Sequence, residues 1–214
     1  MYRILNDRLE AIKLEAKDFT RDLVKIPSVS LNEKKTAEFV CTKMKQLGYE
    51  NAFIDETGNA VGVIRGRNPE PVVVLNSHID TISPDENKWK TPPFSGTIKD
   101  DKLYGVGASD CKGGIAAQIF AGVLLKRSLL PLNGCLVVAA TVAEENGCSV
   151  GLRKLITDTL PSLGLKAENV ILGEPTENGL YYGHDGWMEI NIHLEGIDPF
   201  GISDAASAIT KNLG

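Results

Sequence analysis

The chain has 214 residues, 43% of them hydrophobic and 24% charged, with a net charge of −5. This length accommodates one α/β domain with a substantial core, or one domain and part of another, and the composition is that of an ordinary globular protein. The acidic balance argues against nucleic acid or an anionic membrane as a partner. The longest apolar run, residues 135–143, is too short to cross a bilayer, and residues 1–7 lack the apolar core of a signal peptide. The four cysteines, Cys41, Cys111, Cys135 and Cys148, form no CxxC pair, so reduced thiols in a cytoplasmic protein are expected.

In chain order, Leu9, Ile12, Phe19 and Leu23 repeat at helical spacing and predict a helix over 6–25, which Pro27 stops. Asn32 is placed to cap a second helix carrying Thr36, Phe39, Val40, Met44 and Leu47, with Gly48 as its C-terminal stop. A strand is expected over 60–64, after a turn at Gly58-Asn59. Residues 72–75 form a short continuous apolar run, the pattern of a strand buried on both faces. Residues 92–104 read as loop and short hairpin. An apolar helix over 113–125, a second buried strand over 135–143, a helix over 149–155 and a third buried strand over 169–172 follow. Buried strands alternating with helices predict an α/β fold, a mostly parallel sheet with helices on both faces.

The pattern then changes. Trp187, Glu189, Asn191, His193 and Glu195 alternate with Met188, Ile190, Ile192 and Leu194, as in a strand with one wet face. Asp198-Pro199-Phe200-Gly201 turns the chain, and Ser203 or Asp204 is placed to cap a short helix over 205–213. A boundary is expected near Gly183, dividing the chain into 1–183 and 184–214.

Each predicted buried strand ends in side chains suited to metals. Residues 72–75 run into Asn76-Ser77-His78-Ile79-Asp80, the second strand into Glu144-Glu145, and the third into Gly173-Glu174-Pro175-Thr176. Ligand crevices of open α/β sheets lie beyond the carboxyl ends of the strands, so these residues are expected to converge. His78 and Asp80, two apart, point to one side of extended backbone; His78 can bind a metal while Asp80 holds its other N–H. A surface histidine beside an aspartate in a turn is the plain alternative. Glu144 and Glu145 cannot easily face the same way, which suits one metal ligand and one proton carrier. Two carboxylates there are costly to desolvate without a cation, and a solvated loop is the alternative. Asp110 lies in the glycine-rich stretch Tyr104-Gly105-Val106-Gly107-Ala108-Ser109-Asp110-Cys111-Lys112-Gly113-Gly114. A dinucleotide-binding loop fits poorly: no hydrophobic strand runs into Gly105, the third glycine is misplaced, and an aspartate repels pyrophosphate. The two oxygens of Asp110 can instead bridge two cations.

Taken together, Ile26-Pro27-Ser28-Val29-Ser30, Ser77-His78-Ile79-Asp80-Thr81, the run from Phe94 through Gly114, Ala143-Glu144-Glu145-Asn146-Gly147 and Gly173-Glu174-Pro175-Thr176 resemble the co-catalytic zinc metallopeptidases and deacylases. That family includes acetylornithine deacetylase, succinyl-diaminopimelate desuccinylase, aminoacylases and glutamate carboxypeptidases. The resemblance implies a zinc-exopeptidase-like catalytic domain over 1–183 and the start of a small α+β lid and dimerisation segment over 184–214, with a homodimer possible. It implies two zinc ions, with cobalt or manganese also suited to such ligands. His78 and Glu174 are implied as ligands of one ion, Asp110 as the bridge, Glu145 as a ligand of the second, Asp80 as the residue orienting His78 and Glu144 as the general base. It also implies a cis peptide after Asp110. Methionine is usual where Cys111 stands, and the Cys111 thiol is expected to pack and not to ligate.

The implied reaction is hydrolysis of an amide bond in an N-acyl amino acid or small peptide. Family members are typically much longer, and their returning segment supplies a last histidine ligand. Without that histidine beside Asp110 and Glu145 the second ion is expected to be weakly held, and an inactive truncated homologue that binds metal or a partner is the alternative; the family's histidine that reaches the partner subunit's site has no counterpart in residues 195–201, and His184 and His193 are unsuited to replace it.

Overall fold

A computed structural model describes residues 2–128 and 130–183. The chain divides into two compact units, Met1–Asn178 and Gly179–Gly214, and every regular element among the described residues lies in the first. The segment 184–214, with the strand and helix expected there, lies outside the described residues.

The helices are α1 (Tyr2–Val24), α2 (Lys34–Gln46) and α3 (Gly113–Arg127). A further helical stretch begins as α4 (Val150–Lys154), widens into a π-turn at Leu155–Thr159 and closes as α5 (Leu160–Ser162). The strands are β1 (Asn51–Ile54), β2 (Ala60–Arg65), β3 (Val72–His78), β4 (Thr97–Lys99), β5 (Lys102–Tyr104), β6 (Cys135–Thr141) and β7 (Asn169–Leu172). β4 and β5 form the short hairpin anticipated within 92–104.

The main sheet has the order β1-β2-β6-β3-β7. β3 is parallel to both β6 and β7, while β2 runs antiparallel to β1 and β6. Four of the five strands therefore point one way, and the reversed strand is β2. Alternation along the strands separates two cores. Ala60, Ile64, Val138 and Ala140 face a cluster with Phe19, Val40, Met44, Ile115 and Ile119 from the three long helices. Val61, Val63, Val74, Val137 and Ala139 face the other side, where Leu155, Leu160 and Leu165 cover them. A sheet clothed on both faces explains why β3 and β6 read as nearly continuous apolar runs.

Two expectations are corrected. Asn32 does not cap α2; Glu33 occupies the cap position, with no side-chain bond to the helix. Its buried carboxylate instead accepts the N–H groups of Leu31 (2.8 Å) and Ala143 (3.1 Å). It thus joins the start of α2 to the turn after β6, a long-range role that local capping rules do not see. β7 is also not a buried strand: Val170, Ile171 and Leu172 are 44%, 55% and 50% exposed. Among the described residues it pairs on one side only, with β3, and a four-residue apolar run does not reveal which neighbours cover it. Among the described residues no helix is long and apolar enough to cross a membrane.

Candidate metal centre

The parallel register brings the strand ends to one rim. His78 at the end of β3 lies opposite Thr141 at the end of β6, and Asn76 lies opposite Leu172 at the end of β7. Ile79 N–H donates to the Thr141 carbonyl (2.8 Å), and Gly173 N–H to the Asn76 carbonyl (2.8 Å), so both exits are tied at their first residue. Asp80, Glu144, Glu145 and Glu174 all leave the sheet here.

Asp110 reaches the same rim from the loop before α3. Gly107, at φ +76°, adopts a left-handed conformation, and a Cβ there would stand 2.7 Å from Thr81 Cγ2. The Asp110–Cys111 peptide is cis, as the resemblance implied. Lys112 is fully buried, its ammonium donating to the Ile26 carbonyl at 2.6 Å, and burial lowers its pKa to about 8. Gly114 then lets α3 approach the end of β7: a Cβ there would lie 2.3 Å from the Gly173 carbonyl oxygen. That contact sets Asp110 near Glu174.

His78 is 2% exposed. Its Nε2 lies 2.8 Å from Asp110 Oδ1. Its Nδ1 lies 3.0 Å from the Asp80 backbone carbonyl and 3.4 Å from the Asp80 carboxylate. Asp80 therefore holds the ring through main chain as well as side chain. Its fully buried carboxylate also accepts the N–H groups of Glu144 (3.1 and 3.0 Å) and Glu145 (3.0 Å) and the Ser30 hydroxyl (2.7 Å). Ala143, at φ +54°, turns the chain so that these two N–H groups face it. Ser30 belongs to the Ile26–Ser30 motif, and sequence offers no signal that its hydroxyl reaches a carboxylate fifty residues on.

The electrostatics are those of a site built around positive charge. Burial alone pulls the His78 pKa down, but the carboxylates of Asp80 and Asp110 push it up to about 10. Burial likewise opposes ionisation of Asp80, yet hydrogen bonds from His78, Glu144 N–H, Ser30 and Glu145 N–H hold it at about 2. Glu145 is raised by burial and then by the charge of Asp110. Glu174 is raised by burial, with Asp110 and Glu144 adding to the rise and His78 opposing it. In both glutamates burial is the larger cause, and the charges of neighbouring carboxylates add to it.

Ligand atoms of His78, Asp110, Cys111 and Glu174 all lie within 4.8 Å of one another, a separation that suits donors around one zinc-sized ion. An imidazole with two carboxylates is a fitting donor set. The Cys111 thiol belongs to this group by position; its S–H donates to the Gly173 carbonyl (2.7 Å), and burial raises its pKa to about 12. Glu145 falls outside this group and lines a neighbouring cavity with Asp110. Glu144 lines a small cavity with His78 and Glu174.

The sequence pattern of Peptidase family M20/M25/M40 matches residues 74–212. The chain is 31% identical to the uncharacterized protein YgeY of Escherichia coli K12 over 201 residues, 94% of this chain and 48% of that protein. It is 31% identical over 179 residues to a probable succinyl-diaminopimelate desuccinylase of Staphylococcus epidermidis, covering 82% of this chain and 43% of that one. The chain thus spans about half the length of the curated relatives it matches. Among solved structures, the M20 family metallo-carboxypeptidase Sso-CP2 of Sulfolobus solfataricus aligns with a TM-score of 0.65 at 29% identity, over 74% of this chain and 37% of that one. Human carnosine dipeptidase 1, at 20% identity and a TM-score of 0.66, shares the fold over 79% of this chain and 41% of its own.

Proposed function

The chain belongs to peptidase family M20/M25/M40, and from that premise we propose that it is the metal-binding part of an amidohydrolase acting on N-acyl amino acids or small peptides. The observation that carries this reading is the meeting of His78, Asp110 and Glu174, their ligand atoms within 4.8 Å of one another, at the carboxyl rim of the sheet, with Glu144 and Glu145 anchored beside them by Asp80. His78 and Glu174 would hold one zinc ion, Asp110 would bridge, and Glu145 would serve a second. Bound there, divalent cations supply Lewis-acid polarisation of the amide carbonyl and lower the pKa of water.

The remaining roles fall to the chain itself. Glu144 takes the proton of the attacking water and delivers it to the leaving amine. Asp80 fixes the His78 ring through Nδ1 and holds the Glu144–Glu145 backbone by its N–H groups, so one buried carboxylate sets both the ligand and the base. The four cysteines are free, which supports a cytoplasmic location.

Zinc analysis of the purified chain together with hydrolysis of a panel of N-acyl amino acids tests the reading. Glu144→Ala is expected to abolish turnover while zinc stays bound; hydrolysis that survives it would overturn the base assignment. One observation favours a second reading, of a single-ion site without turnover: Glu145 lies outside the group formed by His78, Asp110 and Glu174. One zinc per chain with no hydrolysis would support it.

A further inference from the structure

A cavity of about 510 Å³ opens directly beside Asp110 and Glu145. Its walls come from the segment after β3 and from the loop before α3, and Ile82, Pro84, Trp89, Val106 and Ala108 give it a mainly apolar surface. Ile82 is 62% exposed and Trp89 37% exposed, unusual for large apolar side chains facing the same recess. The charged side chains in the wall are Asp85, Lys88, Asp110 and Glu145. Asp110 and Glu145 are committed to cations in the reading above, and Lys88 is paired with Asp85 at 3.4 Å. The basic side chain of the wall, Lys88, is thus paired and largely solvent-exposed.

We propose that this cavity receives an apolar group of the substrate, an aliphatic or aromatic acyl chain or side chain next to the scissile amide, and that Ile82 and Trp89 are specificity-determining residues. The inference rests on the amidohydrolase reading for the position of that amide, and it selects within that reading: the chain favours apolar over acidic acyl groups. An apolar acyl chain buries its methylenes against Ile82 and Trp89, each adding to affinity. A succinyl group of similar length must instead desolvate its carboxylate against this mainly apolar wall, where Lys88 is already paired with Asp85.

Calorimetric titration of the zinc-loaded full chain, in a Glu144→Ala background that keeps zinc but does not turn over, with N-hexanoyl-glycine and N-succinyl-glycine tests this through binding alone. N-hexanoyl-glycine is expected to bind roughly tenfold more tightly or better, and Trp89→Ala and Ile82→Ser are each expected to weaken it by roughly tenfold while leaving N-succinyl-glycine within about twofold. Both positions are partly exposed, so both variants should fold, and Ile82→Ser serves if Trp89→Ala does not. Equal affinities, no binding of either probe, or tighter succinyl binding that is lost in Lys88→Ala would each overturn the proposal. Failure of the underlying reading is separately visible: zinc content and hydrolysis report on it, whereas the ratio of the two affinities reports on the cavity.

Discussion

Replacing Asp80 with asparagine should cost more stability than any other single isosteric change at the site. The wild-type carboxylate is fully buried and accepts from Ser30, from Glu144 N–H and from Glu145 N–H while facing His78. The substituted amide keeps one acceptor oxygen, but its NH₂ must point at a donor, and His78 loses its buried counter-charge. Breaking a buried charge pair from one side costs about 3–5 kcal/mol, and hydrogen bonds to a charged group contribute roughly 1.5–3 kcal/mol each. For a domain of this size each kcal/mol moves the melting temperature by about 2–4 °C, so Asp80→Asn is expected to lower it by roughly 6–20 °C in chelator-treated protein at pH 5.5.

The pH profile of that difference follows from the two shifts. Asp80 is lowered from 3.8 to about 2, so its contribution is present above pH 3.8 and fades as pH falls toward 2. His78 is raised from 6.5 to about 10, so its contribution is complete below pH 6.5 and is lost as pH rises through 10. The gap between wild type and Asp80→Asn should be widest between about pH 4 and pH 6.5 and narrow on either side. Thermal melts followed by circular dichroism across pH 3–10 measure it. A shift of less than about 3 °C at pH 5.5, or a gap that does not vary with pH, would refute the account of Asp80.

Other consequences are equally open to measurement. In metal-free protein His78 carries a proton up to about pH 10, so zinc binding near pH 7 should release at least about one proton per ion and tighten by roughly tenfold per pH unit; calorimetry in buffers of different ionisation enthalpy reads this, and zero release contradicts it. Cys111→Ser should leave zinc content unchanged, because the thiol is neutral and bonded to the Gly173 carbonyl; loss of zinc would make it a ligand. Gly114→Ala places a Cβ 2.3 Å from the Gly173 carbonyl oxygen and should destabilise the protein by about 1–3 kcal/mol in denaturant unfolding, weakening zinc binding as Asp110 and Glu174 are pushed apart.

Local chemistry in the sequence determined much of this protein. The continuous apolar runs of β3 and β6, the helical spacing of α1 and α2 and the apolar stretch of α3 are read from side chains alone, and the acidic and histidine residues that follow each strand were visible as a positional pattern. Parallel strands sharing one sheet then bring such residues to a common rim whatever their spacing in the chain.

What the sequence could not decide were interactions whose two halves lie far apart. The recruitment of Glu33 to Ala143, the reach of Ser30 to Asp80 and the burial of the Lys112 ammonium against Ile26 each join segments from fifty to over a hundred residues distant. The exposure of β7 and the place of Glu145 outside the group formed by His78, Asp110 and Glu174 also belong to tertiary structure. Both depend on which neighbours occupy the adjoining space, and a four-residue run or a pair of adjacent glutamates carries no record of that.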